Sequence, residues 1–346
     1  MQDASPSAGC YPVLSHPVTE VIEKIGIIGG GYVGHGVAQL FAQAGYPVTM
    51  FNRTEESSAR AMANIEKGLK QFVDAGILSP AAADSALKLV RPTSDFAAAV
   101  RASDFIVEAV TDELRLKQEL FREMDALAPP HVILASETSG LRISDIVLGA
   151  KHPERCITTH NYTPPPLMPV VEVVPGEKTA PEAVEATCAL LRHVGKEPVI
   201  CKEIPGHIGS RLTNALRREA FHLVEEGYAT PEAIDTVMRS VGRLFPVMGI
   251  LLLTDFSGVD MARNSQRNIL PHLCHRDRPF LLIEKMAEEG KLGVKAGEGF
   301  YRWTQARVQE IVEARGRELI RWMQQPPLPP LPPRAGSQIP LQKREE

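Results

Sequence analysis

A glycine-rich run near the start of the chain has the spacing that holds a dinucleotide. Residues 29–34 read GGGYVG, which fits the pattern G-x-G-x-x-G. The run follows an apolar segment, opens a segment with helical spacing and leads to a second apolar segment about twenty residues on. Gly29 allows a tight turn, Gly31 lets the backbone approach a pyrophosphate, and Gly34 lets helix and strand pack closely. We therefore expect NAD or NADP to bind here, its phosphates facing free N–H groups of the helix; the alternative is a glycine turn without a ligand.

The residues after the second apolar segment bear on the choice between the two cofactors. An acid at this position favours NAD, because it accepts hydrogen bonds from the ribose 2′-hydroxyl and repels a 2′-phosphate. This chain has Asn52, Arg53 and Thr54 instead. A cation that can pair with a phosphate in bidentate fashion slightly favours NADP. The alternative is that Arg53 stacks on the adenine of bound NAD.

The elements that must position this turn alternate between strand and helix. Apolar segments predict strands at residues 25–28, 46–51, 104–107, 132–135, 156–159, 170–174 and 198–201. Helical spacing fills the gaps at residues 37–44, 55–75, 81–88, 113–127 and 181–194. Strands that alternate with helices predict an α/β fold, a Rossmann-type doubly wound and mainly parallel sheet.

The pattern changes near residue 205. Beyond it the spacing is helical at residues 208–226, 231–241, around 254–270 and at 280–289, which predicts an all-α C-terminal domain. We therefore divide the chain into a loose leader (1–22), an NAD(P)-binding Rossmann domain (23–204), a helical domain (205–303) and a last segment (304–346). That last segment is predicted to be a helix at 305–324 followed by a Pro-rich, disordered tail.

Composition excludes several classes of partner. The 346 residues carry a net charge of −4, which does not favour nucleic acid. The longest apolar run, near residues 244–254, is too short to span a bilayer, so we expect no membrane partner. Five well-separated cysteines without a C-x-x-C pair indicate free thiols in a reducing compartment, and residues 1–7 read as neither signal nor transit peptide. We expect a cytoplasmic protein.

An ordered set of motifs resembles the 3-hydroxyacyl-CoA dehydrogenase family from about residue 24 to residue 303. The motifs are DFIVEAV (104–110), SETS (136–139), HNYTP (160–164), MPVVEVV (168–174), GKEPV (195–199), PGHI (205–208) and KAGEGFY (295–301). The resemblance implies interconversion of a 3-hydroxyacyl-CoA and a 3-ketoacyl-CoA, as in fatty-acid β-oxidation. It also implies a homodimer formed by the helical domain, with the small-molecule substrate in the cleft between domains.

The resemblance places the catalytic histidine at His160 and its acidic partner at Glu172. Oxidising an alcohol requires a base that takes the hydroxyl proton as hydride leaves, and histidine titrates in the working range. A carboxylate on the far ring nitrogen fixes the tautomer and stabilises the imidazolium. Glu172 stands alone in the apolar run VVEVV, where an unpaired acid is costly. The alternative is a purely structural ion pair.

The resemblance also assigns further side chains to the site. Ser139 would hydrogen-bond the reacting oxygen near the nicotinamide, with a helix cap as its alternative role. Ser210 would stand where the family has its second catalytic polar residue. The cofactor contacts that it implies are Asp112, Lys117, Ser139, Thr163 and Lys295. Exposure at the surface is the alternative for Lys117.

The chain departs from the family at several of these positions. Ser210, Thr163 and Glu137 each replace an asparagine, and Glu137 would bring a possible charge beside the nicotinamide. The family's CoA-contacting serine and lysine fall on Gly68 and Ala75. Because of these departures, the alternative interpretation is a non-catalytic NAD(P)-binding protein.

Residues 164–169, PPPLMP, look more like relatives that act on free 3-hydroxy acids, such as L-carnitine and L-gulonate dehydrogenases. A free acid needs a cation for its carboxylate, and Arg211, Arg217 and Arg218 are candidates on the first helix of the second domain. A solvated helix face is the alternative role for most of these arginines. The short cluster of His272, Cys274 and His275 lacks the pattern of a metal site, and we expect no metal.

Overall fold

The computed structural model of the chain describes residues 22–326 and 328–332. The predicted loose leader, apart from residue 22, lies outside these residues. So does the part of the predicted Pro-rich tail at residues 327 and 333–346.

The described residues form one eight-stranded sheet in the order β3-β2-β1-β4-β5-β6-β7-β8. Its strands are β1 (Ile25–Ile28), β2 (Val48–Phe51), β3 (Val90–Thr93), β4 (Phe105–Glu108), β5 (Ile133–Ser136), β6 (Cys156–Asn161), β7 (Val170–Pro175) and β8 (Glu197–Ile200). All neighbours pair in parallel except β6 and β7, which are antiparallel. The predicted doubly wound fold is confirmed.

Seven helices cover the two faces of the sheet. They are α1 (Gly34–Gln43), α2 (Glu55–Asp74), α3 (Pro80–Leu89), α4 (Phe96–Arg101), α5 (Leu114–Leu127), α6 (Ile143–Ile146) and α7 (Pro181–His193). Helices α1, α2, α3 and α7 pack one apolar cluster, which contains Phe41, Ile65 and Leu190. Helices α4, α5 and α6 pack a second cluster around Phe121. Because both faces are covered, central strands such as β1 and β4 are fully buried, and all their residues except Glu108 at the end of β4 are uncharged, which is why the sequence reveals them.

The sequence patterns do not predict two elements of this domain. Strand β3 contains Pro92 and exposes Arg91, because it lies at the edge of the sheet, where proline is tolerated. Helix α4 spans only six residues, too few for a helical period to show.

The second part of the chain is helical. It contains α8 (Gly209–Glu225), α9 (Pro231–Val241), α10 (Phe245–Ser257), α11 (Val259–Ile269) and α12 (Leu281–Glu288). The sequence predicts one helical segment around residues 254–270, whereas the structure has α10 and α11. Gly258, at φ +94°, separates them, because this backbone conformation ends a helix.

One stretch of the helical part contains the run used above to exclude a membrane partner and is longer than that run. Pro231–Ser257 has 27 residues and contains an 18-residue window with a mean hydropathy of 1.4, enough by length and composition to cross a bilayer. In the structure the stretch comprises α9, a short 3-10 turn and α10, and Gly249 breaks the helical geometry at φ +69°. A single stretch of this kind is weak evidence for membrane insertion, since helices that pack inside proteins have the same composition.

Helix α13 (Gln305–Met323) returns to the first domain and packs on α2. Ile320 joins Phe72 and Leu167 in a third apolar cluster, with Ala75 against it. The side-chain amide of Gln324 donates to the carbonyl oxygen of Ala75 over 3.1 Å. The end of α2 is therefore covered by the last helix of the chain.

Candidate active site

The glycine turn has the geometry that a dinucleotide needs. Gly29 has φ +105°, a conformation that side chains rarely allow. A Cβ on Gly34 would overlap the carbonyl oxygen of Gly29, so helix α1 can start this close to β1 only with glycine there. A Cβ on Gly31 would meet no atom within 4 Å, so the backbone at Gly31 faces open space in which a pyrophosphate fits.

The residues after β2 surround the same turn. The side-chain oxygen of Asn52 accepts from the N–H of Gly30 over 2.8 Å, while its buried amide nitrogen has no partner among the described residues. Arg53 is exposed, and no described carboxylate lies within 4.0 Å of it. Thr54 caps α2 by accepting from the N–H of Ser57 over 3.1 Å. Asn52 and Arg53 thus have free donors for a ribose hydroxyl or phosphate, and the site fits an NAD-type cofactor.

His160 and Glu172 face each other across two strands. Antiparallel β6 and β7 place them directly opposite in register. Nδ1 of His160 and Oε2 of Glu172 are 2.7 Å apart, and the two side chains are 11% and 2% exposed. Nε2 of His160 forms no hydrogen bond with another described residue, so it is free to reach a reacting oxygen.

The second oxygen of Glu172 joins the two parts of the chain. It accepts from the N–H groups of Ile208 and Gly209 at the start of α8, over 2.8 and 3.0 Å. Burial raises the pKa of Glu172, but the bonds from His160, from these two N–H groups and from Tyr162 outweigh it and lower the pKa to about 2. Glu172 is therefore ionised at neutral pH and stabilises a protonated His160.

Two rings beside His160 are not singled out by the sequence. The ring centre of Tyr162 lies 5.0 Å from that of His160, and the ring centre of His207 lies 5.8 Å away. His207 is buried, and its backbone has φ +46°. Its pKa is lowered, first by burial and second by the nearby His160. A histidine directly after Pro205-Gly206, where the chain turns into α8, is the signal that could have pointed to it.

The loops after β4 and β5 meet at Ser139. Its N–H and its hydroxyl both lie within hydrogen-bond distance of Asp112 Oδ2, at 3.1 and 3.2 Å. The helix-cap alternative for Ser139 is wrong, because α6 begins after Arg142 and has no side-chain cap. Thr138 instead accepts from the N–H groups of the next turn.

Lys117 lies beneath these loops. Its side chain is fully buried, and its ammonium donates to both oxygens of Glu108 over 2.7 and 2.8 Å. The surface alternative for Lys117 is therefore wrong. Glu108 also accepts from the N–H of Val110 and the hydroxyl of Ser136, which fixes the loop between β4 and α5. An acid at the end of an apolar strand was the available signal for Glu108.

Glu137 is bound to the strand that carries His160. Its two oxygens accept from the backbone and side-chain N–H groups of Asn161, over 3.0 and 2.6 Å, and from the hydroxyl of Thr159 over 3.3 Å. Burial raises the pKa of Glu137 to about 7, although these bonds and His160 favour the charged form. Glu137 holds β6 in place next to His160.

The raised pKa of Glu137 predicts a pH-dependent stability. In the folded protein the pKa of Glu137 is about 7, whereas in the unfolded chain it is 4.5. The protonated Glu137 therefore contributes fully to the free energy of unfolding below pH 4.5, and this contribution is lost as the pH rises through 7. The free energy of unfolding of the wild type relative to Glu137→Gln should fall by on the order of 2–3 kcal/mol between pH 4.5 and 8.5. Denaturant titrations at both pH values measure it, with exposed Glu123→Gln as control. A difference independent of pH would contradict it.

The remaining predicted residues, Ser210, Thr163 and Lys295, lie in three separate segments of the chain. Ser210 is half-buried in the first turn of α8, directly after Gly209, and Thr163 follows Tyr162. Lys295 is exposed on the loop after α12 and forms no hydrogen bond or ion pair with the other predicted site residues. In the described part of the chain, no three His, Cys, Asp or Glu side chains are placed to hold a metal ion.

Two family models match the chain. The 3-hydroxyacyl-CoA dehydrogenase NAD binding domain matches residues 24–204, and the 3-hydroxyacyl-CoA dehydrogenase C-terminal domain matches residues 206–303. The chain belongs to the 3-hydroxyacyl-CoA dehydrogenase family. The predicted resemblance is confirmed, and the chain is an NAD-dependent oxidoreductase that acts on CH–OH groups.

Relatives within the family differ in the substrates that their names state. The chain is 32% identical over 302 residues to 5-formyl-3-hydroxy-2-methylpyridine 4-carboxylate 5-dehydrogenase of Mesorhizobium japonicum, covering 87% of this chain and 97% of the relative. It is 33% identical to mitochondrial hydroxyacyl-coenzyme A dehydrogenase of Sus scrofa, covering 82% and 92%. A crystal structure of the pyridine-carboxylate enzyme, an NAD+ dependent dismutase, superposes with a TM-score of 0.81 over 87% of this chain and 97% of that one.

Proposed function

We propose that this member of the 3-hydroxyacyl-CoA dehydrogenase family interconverts a 3-hydroxyacyl-CoA and a 3-ketoacyl-CoA. The observation that carries the proposal is the buried pair of His160 and Glu172, 2.7 Å apart at the junction of the two domains. A nicotinamide bound at the glycine turn supplies the hydride chemistry. The metabolic setting that suits this reaction is fatty-acid β-oxidation.

His160 moves the proton in the proposed reaction. In the oxidative direction its Nε2 takes the proton of the 3-hydroxyl group, and in the reductive direction the imidazolium returns a proton to the 3-keto oxygen. Glu172 stays ionised throughout, orients the ring through Nδ1 and stabilises the imidazolium. Since His160 and Glu172 are almost fully buried, water does not compete for their mutual bond.

We propose contributing roles for the other residues around the cleft. Ser139, held by Asp112, hydrogen-bonds the reacting oxygen, and Ser210 acts from the start of α8. Lys117, Thr163 and Lys295 complete the cofactor side, Lys117 by fixing the loop through Glu108. We therefore propose that the domain of residues 23–204 binds NAD(P) and that the domain of residues 205–303 binds the substrate.

A free 3-hydroxy acid is the second candidate substrate. The observation that favours it is that α13 covers the position at which the family contacts CoA. The position at which the family has a CoA-contacting lysine is Ala75, which packs against Ile320 of α13. The carbonyl oxygen of Ala75 is bound by Gln324. The Mesorhizobium relative, whose name states a carboxylate substrate, is also matched over nearly its whole length.

Steady-state assays with one pair of substrates distinguish the two candidates. Purified protein is mixed with acetoacetyl-CoA or with free acetoacetate, and the oxidation of NADH and of NADPH is followed separately. Faster turnover of the thioester supports the first candidate, and faster turnover of the free acid supports the second. If neither substrate, nor a wider set of 3-keto acids, is turned over by protein that binds the cofactor, both candidates fail.

We further propose that Arg53 favours NADP over NAD. Its exposed guanidinium stands next to the ribose-binding position of Asn52, with no described carboxylate to neutralise it. Arg53→Ala should lower kcat/KM for NADPH about tenfold and change that for NADH less than threefold, because only NADPH carries the 2′-phosphate. Comparison with the exposed control Arg101→Ala removes the effect of net charge. Equal losses with both cofactors would contradict the proposal.

We propose that the protein is a cytoplasmic homodimer. Helices α8 to α12 contain no fully buried residue, and apolar side chains such as Leu251, Phe256 and Val259 are 78%, 75% and 65% exposed. The apolar surface of α10 and α11 needs a covering partner, and a second copy of the same two helices supplies a matching one. The same pairing accounts for the apolar character of Pro231–Ser257 without a membrane.

A further inference from the structure

A cavity of about 670 Å³ runs along α8 at the mouth of the site. One wall is a face of α8 from Ser210 to Phe221, and the other is the segment from Arg276 to Ile283. Its volume lies within the range of small-molecule sites. The cavity is separate from the glycine turn and from the surface between α2 and α13.

The charge of this cavity is opposite to that of the protein. The lining includes one acid, Asp277, and five arginines, which are Arg211, Arg217, Arg218, Arg276 and Arg278. When Glu225, which pairs with Arg276, is counted with Asp277, five positive and two negative charges leave +3, whereas the whole chain carries −4. Such a local excess costs repulsion unless an anion is bound there.

Most of these arginines have no internal partner. Arg276 is paired with Glu225 over 2.7 Å and lies over the ring of Phe280 at 4.6 Å. Within the described ranges, no carboxylate oxygen lies within 4.0 Å of the guanidinium groups of Arg217, Arg218 or Arg278. Their donors are therefore available to a ligand, and guanidinium groups suit carboxylates and phosphates.

The floor of the cavity is apolar. Phe221 and Phe280 form an edge-to-face pair with ring centres 5.9 Å apart, and Ile283 lines the cavity beside them. An anionic group at the arginines would thus continue into an apolar or aromatic body. This combination is typical of an organic anion rather than of a simple ion.

The cavity lies next to the proposed catalytic residues. Ser210 lines it, and the preceding residue, Gly209, donates its N–H to Glu172. Arg218 lies about 12 Å further along the helix axis, from 1.5 Å of rise per residue, and helical side chains lean back towards the N-terminus. An anion held at Arg218 would therefore be further from a carbon bound beside Ser210 than the carboxylate of a 3-hydroxy acid, which is only two bonds from carbon 3.

We propose that this cavity binds an anionic group of the substrate that is remote from the reacting carbon. The proposal rests on the proposed function, because it names a part of that substrate. The shared chemistry is an organic anion with an apolar body. It has two possible sources, namely the phosphates of a CoA thioester and a distal carboxylate of a free acid.

A binding experiment tests the proposal without turnover. Calorimetric titrations with coenzyme A and with adipate are made on the full-length wild type, on Arg218→Gln/Arg278→Gln and on Arg101→Gln/Arg239→Gln. The last pair loses the same two charges at exposed arginines outside the cavity. Unchanged NADH affinity shows that each variant is folded.

We expect the cavity variant to bind one of the two probes at least tenfold more weakly than the control variant does. Loss for coenzyme A identifies phosphate as the anion, and loss for adipate identifies carboxylate. If the wild type binds neither probe, or if the cavity variant binds both as the control does, the proposal is overturned. If the wild type turns over substrate but the cavity variant binds both probes as the control does, the cavity proposal alone is overturned. If the cavity variant loses probe binding but the wild type shows no turnover, the proposed reaction alone is overturned.

Discussion

His160→Gln should lower kcat by about 10³- to 10⁴-fold and leave cofactor affinity within about twofold of the wild type. Glutamine can still bond to Glu172, whose oxygen lies 2.7 Å from Nδ1, but it cannot take or give the proton at the position of Nε2. The glycine turn and Asn52, which would hold the cofactor, form no described contact with His160. The loss should therefore fall on the chemical step.

Single-turnover kinetics with acetoacetyl-CoA or the preferred free acid measure this loss, and fluorescence titration measures the affinity for NADH and for NADPH. His152→Gln is the matched control, because His152 is exposed and its side chain hydrogen-bonds only Glu154 among the described residues. If His160→Gln kept more than a tenth of the wild-type kcat, His160 would not be the proton-transfer residue.

Replacing Glu172 should affect both stability and turnover. Glu172→Ala leaves buried His160 and the N–H groups of Ile208 and Gly209 without their acceptor. Breaking a buried pair of this kind costs about 3–5 kcal/mol of the free energy of unfolding. Turnover should fall about 10²- to 10⁴-fold, because the ring loses its orientation and the imidazolium its counter-charge.

The pH dependence of this stability has a defined sign. The folded pKa of Glu172 is about 2, below the unfolded value of 4.5, so its contribution is present above pH 4.5 and is lost as pH falls through 2. The difference between the wild type and Glu172→Ala should therefore shrink in acid. Denaturant titrations at pH 7 and pH 3, with exposed Glu123→Ala as control, measure this difference. Equal stability of Glu172→Ala and the control at pH 7 would show that the pair does not hold the domains together.

Much of the fold is predictable because its strands are buried on both faces. Strand β1 and the glycine turn are local patterns, and a helix must follow such a turn. Strand β3 is not predictable in this way, since its pairing with β2 at the edge of the sheet compensates for Pro92 and the exposed Arg91. Local patterns carry no information about such compensation.

The acid–base pair shows a similar division. The lone Glu172 in an apolar run indicates that some partner exists, but only the antiparallel register of β6 and β7 places His160 opposite it. The contacts of Glu137 with Asn161 depend on the parallel pairing of β5 with β6. Family resemblance identifies the pair, whereas the sequence alone leaves its geometry open.

The arginine cavity could not be predicted from spacing. Arg218 and Arg278 are sixty residues apart in the sequence and meet only because the segment before α12 packs against α8. The bond from Arg276 to Glu225 and the contact of Phe221 with Phe280 hold the two walls together. Tertiary packing therefore creates the cationic surface, which charge counting over the whole chain conceals.

The central claim is that hydride passes between a nicotinamide and carbon 3 of a 3-hydroxyacyl compound in this site. The measurement that tests it most directly uses NADPH and NADH that carry deuterium at both C4 positions, with acetoacetyl-CoA or free acetoacetate, and mass spectrometry of the product. We predict one deuterium on carbon 3 of a 3-hydroxy product with the wild type and no detectable product with His160→Gln in the same time. An unlabelled product, or no product from wild-type protein that binds the cofactor, would contradict the account.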